Sequence, residues 1–227
     1  MPESRRRPLA DLWAVMFLAL VIALFLYPPT YAGYSKLYAA LPAALSFVKF
    51  AVLATFGEML VARIRTGAYL PGGFGLVPKA LVWGMLGVFI WIAFGIFSHG
   101  VTLTFFQGVS ASGPGPGSGP AMKVLQAAAI SFFMNLFFAP VMMMTHHLTD
   151  TYIADYGGRF PLSSFRLRPL LGRINWDKMW GFVYKKTIPL FWIPAHTITF
   201  LLPEELRVLF AVVLSVVLGL LLTISGK

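Results

Sequence analysis

Two apolar segments lie back to back near the C-terminal end of this chain. They cover residues 187–202 and 206–224, and a short corner that begins at Pro203 joins them. A hairpin of membrane-spanning helices needs such a pair, because each crossing must satisfy its backbone hydrogen bonds within a helix. The pair therefore predicts an all-α protein embedded in a membrane.

The composition supports the same prediction. Hydrophobic residues make up 58% of the 227 residues, charged residues make up 11%, and the mean hydropathy is +0.78. Globular domains are about half apolar and about a quarter charged. Residues 1–227 are therefore expected to form a single integral membrane domain. The chain has no cysteine, which excludes disulfides and thiolate metal sites.

The net charge of +10 raises the alternative of a nucleic-acid partner. No basic run with interleaved aromatic residues marks a soluble binding surface, so we expect no nucleic acid. In a membrane protein such a charge indicates cytoplasmic loops that face anionic lipid headgroups. The expected partners are the lipid bilayer and those headgroups, and a homo-oligomer is compatible with the sequence.

Six apolar runs predict a bundle of about six transmembrane helices. The first is an extra N-terminal helix at 11–28, for which a cleaved signal peptide is the alternative, and the others cover residues 37–61, 80–106, 124–148, 187–202 and 206–224. The fifth run is short, and it reaches full length if the helix extends back through 180–184.

The basic residues divide the connecting segments into two sides. If the N-terminus is cytoplasmic, fourteen of the 18 Lys and Arg lie inside, which predicts six crossings with both ends in the cytoplasm. The uncharged Gly/Ser/Pro stretch 108–120 then becomes a flexible outer linker. The segment 150–186, rich in basic and aromatic residues, is expected to lie along the inner surface as a juxtamembrane amphipathic segment.

Four motifs occur in a fixed order within residues 38–224. The first is a Gly-Glu pair late in one helix, Gly57 and Glu58, and the second is an Ala-Pro pair within another helix, at Pro140. The third is a Trp-x-Pro run that ends in Phe, with Trp192, Pro194 and Phe200. The fourth is a Pro followed four residues later by Arg, Pro203 and Arg207. In order and spacing they resemble the Mpv-seventeen / peroxisomal-membrane-protein-twenty-two family of small multi-pass membrane proteins.

The resemblance implies a channel or pore for small molecules. The chain departs from the family pattern at several positions. His196 replaces a Gln, Thr199 an Asn and Glu58 an Asp, and Leu218 and Thr223 stand where the family has a late Trp and a terminal Ser. The signature Pro is displaced by one residue, and the loop before Pro203 is one residue short. These departures indicate a distant relative. We expect it in a bacterial cytoplasmic membrane, with an organelle inner membrane as the alternative.

Lys49 is an unusual residue for an apolar run. It lies near the middle of residues 37–61, and a Lys at the centre of a bilayer costs about 2.5–3.5 kcal/mol. It is either a pore-lining cation that favours anions or a structural residue bonded to Asn135, a carbonyl or a nearby Ser. Asn135 and His196 lie at comparable depth, so we expect at least one of them within reach of Lys49.

Two further polar features lie towards the predicted inner end. Glu58 is expected to form a structural ion pair, either with Arg63 or Arg65 or with a basic residue of 150–186, and a gating role is the alternative. On the fourth run a polar stripe includes Asn135 and His146 at helical spacing, which predicts an inward-facing side that either lines a conduit or binds neighbouring helices.

Histidine chemistry gives a third hypothesis for the same region. His146 and Asp150 are four residues apart, a spacing that can present two metal ligands, but two ligands do not form a site. No nucleophile or phosphate-binding motif occurs, so we expect no enzyme, no metal and no cofactor. The preferred function is a channel- or transporter-like pore for small polar or anionic solutes. The alternatives are a structural or scaffolding membrane protein and, third, an intramembrane metal-dependent enzyme.

Overall fold

The computed structural model describes residues 8–106 and 119–225, and these residues form helices and connecting turns without a strand. The α-helices are α1 Pro8–Leu26, α2 Pro28–Ala40, α3 Pro42–Lys49, α4 Thr55–Thr66, α5 Leu76–Phe105, α6 Pro120–Phe137, α7 Ala139–Asp155, α8 Leu167–Leu171, α9 Trp176–Lys178, α10 Ile193–Leu201 and α11 Glu204–Ser225. A π-helical turn, Phe50–Ala54, joins α3 to α4, and a longer π-helical segment, Met179–Trp192, joins α9 to α10.

Four helices are long and apolar enough to cross a membrane among the residues described. They cover Leu9–Leu26, Pro42–Thr66, Leu76–Phe105 and Pro120–Phe137. The predicted all-α class is confirmed for this part of the chain, and the four helices are compatible with a membrane protein. Arg5–Arg7, Lys227 and most of the predicted linker 108–120 lie outside the described residues.

The predicted boundaries of the first two apolar runs are wrong. The first helix is Pro8–Leu26 rather than 11–28, and a separate helix α2 follows it. The second long helix begins at Pro42, where proline is tolerated because the first helical N–H groups have no partner within the helix. Lys49 ends the 8 residues of α3, about 12 Å from the start of the long helix rather than at its middle.

Close contacts between helices occur at glycines. A Cβ at Gly84 of α5 would lie 2.5 Å from the ring of Phe47, and one at Gly87 would lie 2.6 Å from the carbonyl oxygen of Ser46. A Cβ at Gly57 of α4 would likewise lie 2.5 Å from Val216 of α11. Glycine lets these backbones approach closely. Such contacts suit a membrane, where close packing, and not the hydrophobic effect, holds helices together.

Prolines lie within the fourth and fifth predicted spans and before the sixth. The fourth run is divided at Phe138, two residues before Pro140, so that α6 and α7 are separate helices. The fifth extends back through 180–184, as predicted, and four residues further to Trp176, by way of the π-helical segment that contains Pro189. The predicted corner is confirmed, because α10 ends at Leu201 and α11 begins at Glu204 after Pro203.

We call the end of the bundle at Pro203 the outer end and the end at Lys79 the inner end, following the predicted topology. At the inner end Arg63 donates two hydrogen bonds of 2.9 Å to Asp11 and so ties α4 to α1. Tyr69 also donates to Asp11, over 3.0 Å, and burial together with this bond raises the pKa of Tyr69.

The predicted amphipathic segment is made of short pieces. It contains a 3-10 turn, Leu162–Ser164, and the five residues of α8. Phe160 and Phe165, which flank the turn, and Leu170 of α8 pack with Tyr152 of α7 in one apolar cluster. The Tyr152 ring lies 4.9 Å from that of Phe160 and 5.1 Å from that of Phe165. The segment is therefore attached to the bundle by α7.

Candidate functional site

A cavity of about 560 Å³ opens between the helices at the inner end. We call it the inner cavity. Helices α4, α5, α7 and α11 and the π-helical segment all contribute side chains to its wall, and its polar residues include Glu58, Arg65, Lys79, His146 and Asp150. The wall therefore carries both signs of charge inside a largely apolar bundle.

Lys79 is at the centre of the charged cluster. Its Nζ lies 2.6 Å from Oε2 of Glu58, and it also pairs with Asp150. Oε1 of Glu58 accepts a 2.6 Å hydrogen bond from Nε1 of Trp83 and lies 3.8 Å from Nε2 of His146. One cation from α5 thus binds carboxylates from α4 and α7.

The exposure of the cluster increases towards the mouth of the cavity. The Lys79 side chain is 12% exposed, that of Glu58 is 21% exposed and that of Asp150 is 45% exposed. The Glu58–Lys79 pair is therefore largely removed from water, where its hydrogen bonds are strong but a lost partner is costly. Asp150 at the rim keeps contact with solvent.

The partner of Glu58 differs from the sequence prediction. We expected Arg63, Arg65 or a basic residue of 150–186, whereas the ion pair forms across helices with Lys79. Arg63 is already bound to Asp11 on α1. Lys79 and Trp83 were missed as site residues, although they are four residues apart on α5 and so share one helix face.

Two ring nitrogens in the wall have no hydrogen-bond partner within the described residues. They are Nδ1 of His146 and Nε1 of Trp192, both buried atoms. The His146 ring packs on Trp83 with centroids 4.3 Å apart. An indole N–H can only donate, so Nε1 of Trp192 is a buried donor that no acceptor of the described residues satisfies.

A second, smaller cavity lies deeper in the bundle. This middle cavity has a volume of about 30 Å³ and shares Met142, Met143, Trp192 and Ser215 with the inner cavity. Asn135 and His196 also line it. These shared side chains separate the two spaces.

Asn135 and His196 form one buried polar pair. The amide nitrogen of Asn135 lies 3.0 Å from Nδ1 of His196, and it donates to the Ser131 carbonyl over 2.9 Å. The His196 ring stacks on Trp192 with centroids 5.1 Å apart and meets Phe94 edge-on. The pair connects α6 to α10.

Lys49 does not join that pair. It is 7% exposed, and its Nζ donates a 2.8 Å hydrogen bond to the hydroxyl of Tyr34 and lies 4.8 Å from the ring centroid of Tyr38. The predicted contact with Asn135 or His196 is therefore not formed among the described residues. The reason is depth, since Lys49 lies early in the long helix and beside α2.

The remaining motif residues have structural positions. Pro140 is at the start of α7, and its carbonyl accepts from Tyr184; Pro194 is in the first turn of α10. Phe200 is buried against Phe94, with centroids 5.0 Å apart. Arg207 donates to the carbonyls of Leu202 over 3.0 Å and Phe200 over 3.3 Å, and so caps the end of α10.

The described residues contain no group of three or more His, Cys, Asp or Glu side chains placed to hold a metal ion. Glu58 and His146 approach each other, but Lys79 separates Glu58 from Asp150 by binding both. The expectation that the chain is not an enzyme stays a prediction.

Comparison of the chain with protein-family models, with curated proteins and with solved structures found no match. The resemblance to the Mpv-seventeen / peroxisomal-membrane-protein-twenty-two family therefore rests on the motif residues alone. The structural observations that bear on function are the inner cavity, the Asn135–His196 pair and the surroundings of Lys49.

Proposed function

We propose that this chain is a multi-pass membrane protein that acts as a channel- or transporter-like conduit for small polar or anionic solutes. The observation that carries the proposal is the inner cavity, with a volume of about 560 Å³ and a wall that contains Glu58, Lys79, His146 and Asp150. Ionisable side chains at membrane depth are costly, and they commonly mark a solute path.

The arrangement of the cavities supports a path through the bundle. The inner and middle cavities share lining side chains, Trp192 among them, and the middle cavity shares Phe94 with a third cavity at the outer end. In the proposal the three spaces follow one another along the bundle, and Trp192 and Phe94 form the constrictions between them.

The conduit requires the full predicted topology. In the proposal six helices cross the membrane and both termini are cytoplasmic. The fifth crossing is the continuous run 176–201, made of α9, the π-helical segment and α10, and the sixth crossing is α11. The membrane is a bacterial cytoplasmic membrane, and the chain is a distant relative of the Mpv-seventeen / peroxisomal-membrane-protein-twenty-two family. The basic residues of the inner side support this orientation.

Solute flux into liposomes tests the proposal. Purified protein is reconstituted, and the uptake of small anions and of neutral polar solutes is compared with empty liposomes. Trp192→Ala should raise flux several-fold, because it removes the indole between the inner and middle cavities. The matched control is Leu190→Ala on the same π-helical segment, where the side chain is 76% exposed and faces away from the cavities.

Absence of flux in both the wild type and Trp192→Ala, with the protein correctly inserted, would contradict a conduit. That outcome would favour the alternative of a structural or scaffolding membrane protein. An equal rise in Leu190→Ala and Trp192→Ala would indicate a leak caused by loosened packing rather than a path through the cavities.

A further inference from the structure

The third cavity lies at the outer end and has a volume of about 80 Å³. We call it the outer cavity. Side chains of α2, α5 and α11 line it, and the polar ones are Tyr38, Ser98, His99, Glu204 and Arg207. It shares none of the charged residues of the inner cavity, so its ligand chemistry is independent of that site.

Ser98 has an unusual position for a helical serine. It is 3% exposed, and its hydroxyl has no partner at hydrogen-bonding distance in the described part of the chain. Buried hydroxyls in helices commonly bond back to the preceding turn, as Ser46 does to Pro42 and Thr199 does to Ala195. A buried hydroxyl without a bond is unfavourable, so a ligand that accepts a hydrogen bond from Ser98 would be stabilised by it.

The buried charge around the outer cavity is positive. Arg207 is 7% exposed, and its bonds to the two carbonyls at the end of α10 use only part of a fork that carries five N–H donors. Lys49 adds a second buried cation beside the ring of Tyr38. Two carboxylates lie near this charge. Glu204 in the wall is exposed to solvent, where screening weakens its field, and the half-buried Glu205 accepts a hydrogen bond from Tyr31.

We propose that the outer cavity binds a small inorganic anion, of about the size of a halide or nitrate. Ser98 donates from its hydroxyl, and Arg207 supplies charge and further N–H donors. The volume sets the size limit, because about 80 Å³ equals the space of roughly two to three water molecules. The site is argued from binding geometry and does not require conduction.

The test measures anion binding by the purified full-length protein in detergent. Thermal unfolding is followed with sodium bromide or sodium nitrate and compared with sodium gluconate at equal ionic strength. We expect saturable stabilisation by bromide and nitrate and none by gluconate, because binding to the folded state raises its stability. Trp91 in the cavity wall gives a second readout, since iodide should quench its fluorescence saturably, and the Trp91→Phe variant should lose that component.

Ser98→Ala is the decisive variant. It removes a hydroxyl that has no protein partner, so the anion-free protein should be as stable as the wild type, while anion affinity should fall about tenfold or more. Ser46→Ala is the matched control, because it removes a buried hydroxyl that lies outside the cavity and should leave affinity unchanged. Equal stabilisation by gluconate, or unchanged anion affinity in Ser98→Ala, would overturn the proposal. Anion binding without liposome flux would contradict only the proposed function.

Discussion

At the level of single residues, the inner cavity depends on the position of Lys79. This one cation binds Glu58 on α4 and Asp150 on α7, while Trp83, one turn along α5, donates to the same Glu58. Removing the cation leaves two carboxylates facing each other in a partly buried place. Removing a peripheral charge has no such effect.

The first prediction concerns this cation. Lys79→Met should lower the free energy of unfolding by about 2–3 kcal/mol, because Glu58 loses its ionic partner in a largely buried position. Chemical denaturation in detergent measures the loss. Lys178→Met is the control, since this Lys is exposed at the inner end and its replacement should change stability by less than about 0.5 kcal/mol. Equal effects in both variants would refute the role of the cluster.

The second prediction concerns Lys49. Lys49→Met should leave stability unchanged or raise it by about 1 kcal/mol, because it removes a buried charge for which the described residues offer no carboxylate partner. In the variant the Tyr34 hydroxyl still donates to the Glu205 carbonyl, so the substitution leaves no donor of Tyr34 unpaired. Thermal unfolding of the purified variant measures the change. A loss of more than about 2 kcal/mol would show that the Lys49–Tyr34 bond stabilises the fold.

At the level of elements, two glycine turns hold the inner ends of α5 and α7 together. Gly75 and Gly158 both have positive φ, at 73° and 87°. A Cβ at Gly75 would lie 2.5 Å from Ile153 and 2.9 Å from the backbone of Gly158. The two turns therefore touch through their backbones and place Lys79 and Asp150 within reach of each other.

The third prediction tests that contact. Gly75→Ala should destabilise the protein by about 2–4 kcal/mol, because it combines a left-handed backbone with a steric clash. Gly72→Ala is the control in the same loop, since a Cβ there meets no atom within 4 Å. Denaturant unfolding compares the two variants, and similar stabilities would argue against backbone contact between the turns.

At the level of the whole molecule, the two ends of the bundle differ in their cavities and in their connecting segments. The inner end carries the wide cavity and the tied turns, and the outer end carries the narrow cavity, α2 and the corner at Pro203. Basic residues are concentrated towards the inner end. Because translocation disfavours such residues, the inner end should face the cytoplasm.

The fourth prediction is the orientation of the chain. The sequence has no cysteine, so single cysteines report accessibility without background. Cysteines at Ser4 and Arg166 should react with an impermeant reagent only from the cytoplasmic side, and one at Lys36 only from the outside. Reaction of Ser4→Cys and Ser225→Cys from opposite sides would mean an odd number of crossings.

The sequence by itself determined the helical class and the corner at Pro203, and it predicted the membrane setting, with which the four long apolar helices are compatible. These depend on local properties, namely apolar length, charge and the missing N–H of proline. It also predicted that the fifth helix extends back beyond its apolar part. The depth of Lys49 was misjudged because the apolar run 37–61 was interpreted as one helix, whereas the long helix begins at Pro42.

Only the tertiary structure decided which charges meet. Lys79 reaches Asp150 because the Gly75 and Gly158 turns bring α5 and α7 together, and it reaches Glu58 where α4 packs beside α5. No spacing along the chain encodes these contacts. The same holds for the outer cavity, where Ser98 of α5 and Arg207 of α11 line one space. Residues 109 positions apart in sequence become neighbours through packing of whole helices, which depends on the shapes of many side chains at once.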